Sequence, residues 1–273
     1  MPVTAFHILY LLLTGLFVGF TGALFGVGGG FILVPLLTFL FGADAHHAIG
    51  TSLAVIMFTG SSSAFSYFSQ RRIDWRLALL TEASTMPGGL TGAFLTTYFS
   101  SKELKTLLAA LLVALAITML LRGENRNTPT LSKCAGKGRF LWKRRIVDSS
   151  GDIFEYSVNV LKLMTVGFAA GIASGFFGIG GGVIKVPALY HLNVPIHVTI
   201  ATSTLMITLT AFSGTLGHAA LGHILWSELL GIVPGSLLGT QLGARTAHRA
   251  RSRTLKRAFS LVLAGMAILL LLK

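Results

Sequence analysis

Two glycine runs stand out as the residues whose type and spacing bear most directly on chemistry: Gly26-Val-Gly-Gly-Gly30 and Gly178-Ile-Gly-Gly-Gly182. Each lies in apolar sequence and is followed by a short segment and a proline, Pro35 and Pro187. Glycine lets a ligand approach the backbone closely. A helix that starts just after such a run presents unpaired N–H groups and a partial positive charge, the usual backbone site for an anion. Gly28, Gly29 and Gly30, with Gly180, Gly181 and Gly182, are therefore candidate donors to a bound anion. The competing reading is that these glycines only allow close packing of helices, as small residues do in membranes. A dinucleotide site would need a soluble strand-turn-helix unit and an acidic residue about twenty positions on. Asp44 is at a suitable distance, but no soluble fold surrounds it.

Lys185 falls three residues past the second run, where the first copy has Leu33. A lysine at membrane depth is costly and marks a functional site by default; here it would give an anion a point charge, unless it snorkels to the nearer face. The pairs Thr51-Ser52 and Thr202-Ser203 are hydroxyls that would bond an oxyanion or simply cap a helix. Glu82, in Leu79-Leu-Thr-Glu-Ala, sits in an apolar span and is a candidate for proton coupling, with an ion pair as the alternative. His46 and His197 precede the Thr-Ser pairs, as gate residues or as plain polar loop residues. His218 and His223 are five apart, a poor spacing for one helical face, so no metal site is expected. Ser174 raises an intramembrane serine protease, but no histidine base is placed for it within a span.

The elements that must position these residues are apolar and long. In 273 residues, 53% are hydrophobic and 11% charged, against about 25% charged in ordinary globular chains. Near-uncharged stretches long enough to cross a membrane recur at Ala5–Phe25, Ala48–Phe68, Leu77–Tyr98, Leu104–Leu121, Val158–Phe177, Thr199–Ala220, Leu225–Gly243 and Ala258–Leu272. Phe31–Phe41 and Val183–Leu192 are half as long and read as half-helices of broken or re-entrant segments. The first segment reads as a retained membrane helix, because Met1 to Ala5 carries no Lys or Arg and the apolar run outlasts a signal peptide's. The single cysteine, Cys134, excludes an internal disulfide.

The two halves repeat. Beyond the glycine runs, His46-His-Ala-Ile-Gly-Thr51-Ser52 matches His197-Val-Thr-Ile-Ala-Thr202-Ser203, Ile73-Asp-Trp75 matches Ile224-Leu-Trp226, and Pro87-Gly-Gly-Leu-Thr-Gly92 matches Pro234-Gly-Ser-Leu-Leu-Gly239, all in one order. Short cytoplasmic loops collect Lys and Arg. Arg71 and Arg72, the linker Arg122–Ser157 and the segment Arg245–Arg257 are placed inside by that rule, and the uncharged Ala219–Ile224 outside. Equivalent loops then fall on opposite faces. The expected fold class is all-α: a polytopic integral membrane helix bundle of two inverted repeats, each with a Gly-rich broken helix, crossing eight to ten times with the N-terminus outside. Lys102 and Lys105, in a loop placed outside, run against this scheme. The expected division is a first repeat over 1–121, a basic cytoplasmic linker over 122–157 and a second repeat over 158–273. The formal charge of +13 comes largely from the linker and Arg245–Arg257, so it reports topology and contact with anionic lipid rather than nucleic acid.

With Gly22-Ala-Leu-Phe-Gly-Val-Gly-Gly-Gly-Phe-Ile-Leu-Val-Pro35 and Gly175-Phe-Phe-Gly-Ile-Gly-Gly-Gly-Val-Ile-Lys-Val-Pro187, the chain resembles the TauE/SafE family of sulfite and organosulfonate exporters. The resemblance covers nearly all of it except the linker. It implies an inner-membrane, multi-pass permease for a small sulfur-containing anion, moved outward by alternating access. The glycines would then supply backbone donors, Thr51, Ser52, Thr202 and Ser203 hydroxyls, and Lys185 charge. No ATP-binding motif is present, so an ion gradient or the solute's own gradient would drive it; no cofactor, metal or enzymatic activity is expected. The expected partners are the anionic solute and membrane lipid, with a homodimer left open. A transporter of another solute and a non-transporting membrane enzyme are the alternatives.

Overall fold

The computed structural model describes residues 5–68, 70–121, 140–149, 151–192, 194–247 and 252–271. Residues 122–139 of the linker, with Cys134, and residues 248–251 of the second basic segment lie outside them. Ten α-helices are described: α1 Ala5–Phe25, α2 Gly30–Leu40, α3 Ala45–Phe68, α4 Trp75–Leu95, α5 Ser101–Leu121, α6 Val160–Phe177, α7 Gly182–His191, α8 Ile196–Ala220, α9 Trp226–Ala247 and α10 Ser252–Leu271. Two strands, β1 Leu141–Val147 and β2 Ile153–Asn159, separate α5 from α6. Each half thus runs long, short, long, long, long. Among the described residues, four helices are long and apolar enough to cross a membrane by themselves, over Phe6–Phe25, Ala45–Phe65, Val160–Phe177 and Val198–Ala220.

The helix pairing respects the repeat. α1 packs along α9 and α4 along α6, and each pair becomes the other when the halves are exchanged; α3 pairs with α8 and α5 with α10. What lets α1 and α9 come so close is glycine. A Cβ on Gly15 or Gly19 would run into the backbone of Ile232 or Ser236, and one on Gly235 or Gly239 into Leu12 or Leu16. The same holds for Gly88 and Gly92 against Phe168 and Ile172, and for Gly171 against Thr85. Glycines four apart share a helix face, so each of these helices offers a groove in which its neighbour's backbone lies. Packing of this kind substitutes for the hydrophobic effect, which is absent between helices already in lipid.

The all-α expectation needs correction at the linker. β1 and β2 form an antiparallel hairpin with Trp142 opposite Val158, Arg144 opposite Tyr156 and Ile146 opposite Phe154. Alternate residues of a strand face one way, so these six share one face. The linker lacks helical periodicity because its apolar residues recur every second position instead. The turn is tied by Asp152 N–H donating to Asp148 Oδ1 at 2.9 Å, with Gly151 at a positive φ of 89°.

One carboxylate docks the hairpin. Asp74 caps α4, accepting from the Leu77 N–H at 3.0 Å. It also accepts two bonds from the Arg144 guanidinium, at 2.7 and 2.6 Å, and one from the Tyr156 hydroxyl at 2.6 Å. Its own N–H donates to Thr202 Oγ1 in α8 at 2.9 Å. Both halves and the hairpin therefore meet at one residue that is 1% exposed. Beside it, Arg72 donates twice to Asp148, at 3.0 and 2.8 Å. Burial alone would raise the Asp74 carboxyl, but the bonds from Arg144, Tyr156 and Leu77, with the Arg144 charge, hold it below its ordinary value of 3.8.

Two outcomes are expected. Gly239→Leu drives a side chain into the α1 backbone and should cost about 1–3 kcal/mol or more, read as a lower Tm of the purified protein in detergent. A carboxyl held below its ordinary value stabilises the fold fully above that value and loses this as pH falls through its folded one. Unfolding temperature should therefore drop on acidification below about pH 4, and the drop should be smaller in Asp74→Asn, which starts less stable.

Candidate functional site

Between α1 and α2, and again between α6 and α7, the chain makes a left-handed turn that glycine accommodates. Gly26, Gly28 and Gly29 have φ of 68°, 82° and 85°; their mates Gly178, Gly180 and Gly181 each have 71°. Gly30 and Gly182 open the following helices. Positive φ is strained for any residue with a Cβ, which accounts for the spacing Gly-x-Gly-Gly in both copies. All of these glycines are buried.

The two turns meet. A Cβ on Gly30 would strike the Gly178 carbonyl, and one on Gly182 would come within 2.9 Å of Val27 Cα. Ile56 of α3 and Ile207 of α8 lie over both, their Cγ2 atoms within about 3 Å of where a Cβ on Gly28 or Gly180 would be. The N-termini of α2 and α7 are thus brought to one place inside the protein. Helix geometry leaves their first-turn N–H groups without acceptors within the helix.

The hydroxyl pairs bridge the halves. Ser52 Oγ donates to the Gly178 carbonyl at 2.8 Å, and Ser203 Oγ to the Gly26 carbonyl at 3.1 Å. Thr51 Oγ1 accepts from the Leu225 N–H at 2.9 Å, as Thr202 Oγ1 accepts from that of Asp74. All four are fully buried. In this conformation all four reach the backbone of the opposite half, and Ser203 Oγ is shared with the Ile200 carbonyl of its own helix at 2.8 Å. Thr59 adds a bond to the Gly28 carbonyl at 3.2 Å.

Lys185 and Glu82 come together although they lie far apart in sequence and on different helices, α7 and α4. The ammonium of Lys185 is paired with Glu82 and bonded to Thr210 Oγ1, while Thr210 Oγ1 lies 2.7 Å from Glu82 Oε2. Exposures are 2%, 1% and 0% for Lys185, Glu82 and Thr210. Lys185 does not snorkel. Of these three, Thr210 carried no signal of its own in the sequence; the repeat register, which aligns it with Thr59 beside the other glycine turn, would have pointed to it. An ion pair so buried costs much in desolvation and offers little net stability, which makes a functional reason for it the more economical one.

At the other end of α8 the histidines cluster. His218 and His223 are five apart, yet their Nδ1 atoms are 3.2 Å apart. The helix ends at Ala220 and Gly222, at a φ of 73°, turns the chain back. His218 Nε2 meets the Gly175 carbonyl at 2.9 Å. Rings of His46 and His47 lie 5.2 and 5.9 Å from that of His223, and His46 Nδ1 is 2.9 Å from Asp44 Oδ2. Among the described residues no three His, Cys, Asp or Glu side chains form a group that would hold a metal ion. Of the His197 side chain nothing is described.

Apolar helices that enclose two apposed glycine turns and a buried charge pair are compatible with a membrane transporter. The comparisons agree and go further: residues 11–270 match the family described as "Sulfite exporter TauE/SafE". The chain belongs to that family. It is 32% identical to the "Probable membrane transporter protein YunE" of Bacillus subtilis (strain 168), covering 93% of each chain. To YdhB of the same organism, described in the same words, it is 30% identical over 97% of this chain and 98% of that one. A "Probable membrane transporter protein" of Haemophilus influenzae is also 30% identical, over 97% and 98%. No solved structure matches.

Losing either interhalf hydroxyl bond leaves a buried carbonyl short of a partner. Ser52→Ala and Ser203→Ala should each cost about 1–3 kcal/mol, and because the two turns touch, the double variant should depart from the sum; thermal unfolding of the single and double variants in detergent measures this.

Proposed function

We propose that this protein is a secondary transporter of the cell inner membrane that exports a small sulfur-containing anion, such as sulfite or an organosulfonate, by alternating access. The observation that carries the proposal is the convergence of two glycine turns, each opening a short helix, at one buried place. Secondary transporters commonly bind solute near the bilayer midplane at the interface of two inverted repeats, on the N-termini of discontinuous helices. The repeat of sequence, the exchange of α1–α9 with α4–α6, and the opposite faces given to equivalent loops by the positive-inside rule all support an inverted repeat.

On this reading the backbone of Gly28 to Gly30 and of Gly180 to Gly182 lines the path of the anion, and Lys185 supplies charge. Thr51, Ser52, Thr202 and Ser203 tie the halves in the closed arrangement and become available to the solute when those ties part. Glu82 is the candidate for proton coupling. The turns touch one another under Ile56 and Ile207, so admitting a solute requires the two turns to part. Membership of a family described as sulfite exporters is what favours a sulfur oxyanion over other small anions.

Purified protein in liposomes should take up radiolabelled sulfite or a sulfonate, with competition by other members of the class. Flux of no small anion, from protein shown to be folded, would defeat the proposal. Lys185→Ala should abolish uptake or raise the half-saturating concentration by about tenfold or more; unchanged affinity and rate would reduce Lys185 to a structural residue.

A further inference from the structure

The two glycine turns are alike in backbone and unlike in chemistry. In the first half Gly22 lies so close that a Cβ on it would come within 2.7 Å of the backbone of Gly28 and Gly29. The repeat register places Ser174 at the equivalent position, and Lys185 where the first half has Leu33. Both replacements flank one residue. A Cβ built on Gly181 would lie 3.4 Å from Ser174 Cβ and 3.5 Å from Lys185 Cε. Gly181 immediately precedes α7, whose first turn therefore starts between a serine and a lysine.

Ser174 is the second, independent observation. Its side chain is 0% exposed, and its Oγ has no hydrogen-bond partner among the described residues. Buried hydroxyls almost always have partners, and one that lacks them calls for an explanation. The backbone around it is already engaged: the Ser174 carbonyl accepts from the Gly178 N–H at 2.9 Å. A donor left over beside a helix N-terminus and an ammonium is complementary to an oxyanion.

Resting on the transport reading above, we infer that the anion is held at the second turn alone, by Ser174 Oγ, the α7 N-terminus at Gly181 and Gly182, and the Lys185 ammonium, and that Glu82 takes up one proton as each monoanion binds. The first turn, with Gly22 and Leu33, is the apolar wall against which the site closes.

The proton follows from charge balance. In the closed arrangement Lys185 and Glu82 cancel. A monoanion that displaced the carboxylate from Lys185 and added nothing else would leave a net negative charge deep in the membrane, where an unpaired charge is disfavoured. If the Glu82 carboxylate binds a proton from the side the anion came from, an O–H bond forms and the sum returns to zero. The resulting acid keeps Thr210, 2.7 Å away, as its hydrogen-bond partner. No other charged residue among those described acts on either Glu82 or Lys185. Loaded and empty sites then carry the same charge, so transport is electroneutral. Export accordingly runs on the combined gradients of the anion and the proton and not on the membrane potential.

The test uses the full-length protein in liposomes holding a pH-sensitive dye, with radiolabelled methanesulfonate as a fixed monoanion and sulfite in parallel. In the wild type an acidic exterior should accelerate entry, one proton should enter per methanesulfonate, and a potassium-diffusion potential should leave the rate unchanged. Glu82→Gln gives a site that is positive when empty and neutral when loaded; its flux should lose the response to the pH gradient and gain one to the potential. Ser174→Ala should raise the half-saturating concentration about tenfold while keeping one proton per anion. Anion entry without protons in the wild type, or a Glu82→Gln protein still driven by the pH gradient, would overturn the coupling. An unchanged affinity in folded Ser174→Ala would overturn the one-sided site. These outcomes are distinct from an absence of any anion flux, which would remove the transport reading itself.

Discussion

Backbone polar groups that leave a helix inside a protein must find partners there, and in a membrane the requirement is stricter because no water stands by to replace them. The structure meets it by exchange. The carbonyl of Gly178 is satisfied from α3, through Ser52, and that of Gly26 from α8, through Ser203. These two carbonyls are thus closed across the halves. The α3–α8 pairing at the centre, the apposition of the turns and the seating of Ile56 and Ile207 over them all follow from that reciprocity. A hydroxyl bonded across the interface also holds only while the halves keep their present relation, so the same bonds fix how the halves meet.

The rest of the packing also joins one half to the other. Glycine grooves lock α1 to α9 and α4 to α6, each pair drawn from both halves. At one end Asp74 gathers α4, α8 and the β-hairpin with five hydrogen bonds. The equivalent place in the other half has Leu225, whose N–H meets Thr51 with no carboxylate and no hairpin. The duplicated frame is therefore braced on one side only, and a cluster of imidazoles around His223 occupies the other. His223 itself is held below the usual histidine range, by burial first and then by His46 and His47; it therefore favours its neutral form.

The charge pair breaks the symmetry where it matters most. Lys185 and Glu82, with Thr210, sit beside the second turn, whereas Thr59, the mate of Thr210, bonds the Gly28 carbonyl of the first. Duplication supplies two equivalent backbones, and a few side chains make one of them polar. That division lets the glycines conserve geometry while the chemistry resides in residues that need no symmetry mate.

Much of this was legible in the sequence, because its cause is local. Apolar length gave the helices to within a few residues, the glycine runs gave the turns, and the repeated motifs gave the correspondence of the halves. The linker's hairpin was missed where helical periodicity was sought in residues that alternate by two, as in Trp142, Arg144 and Ile146. The span ending at Ala220 was legible too, but the approach of His218 to His223 comes from the turn at Gly222, which spacing does not show. Lys185 and Glu82 were each conspicuous as charges in apolar spans, but that they neutralise one another depends on α7 lying against α4 and α8, and spacing within one segment carries no record of that. The same is true of the serines, whose type announced a hydrogen bond and whose partner lay in the other half. The sequence by itself determined which residues form helices, where they stop and which positions correspond; only the tertiary structure decided which carbonyl each hydroxyl satisfies and which charge each charge meets, because those choices are made across a long-range interface and not along the chain.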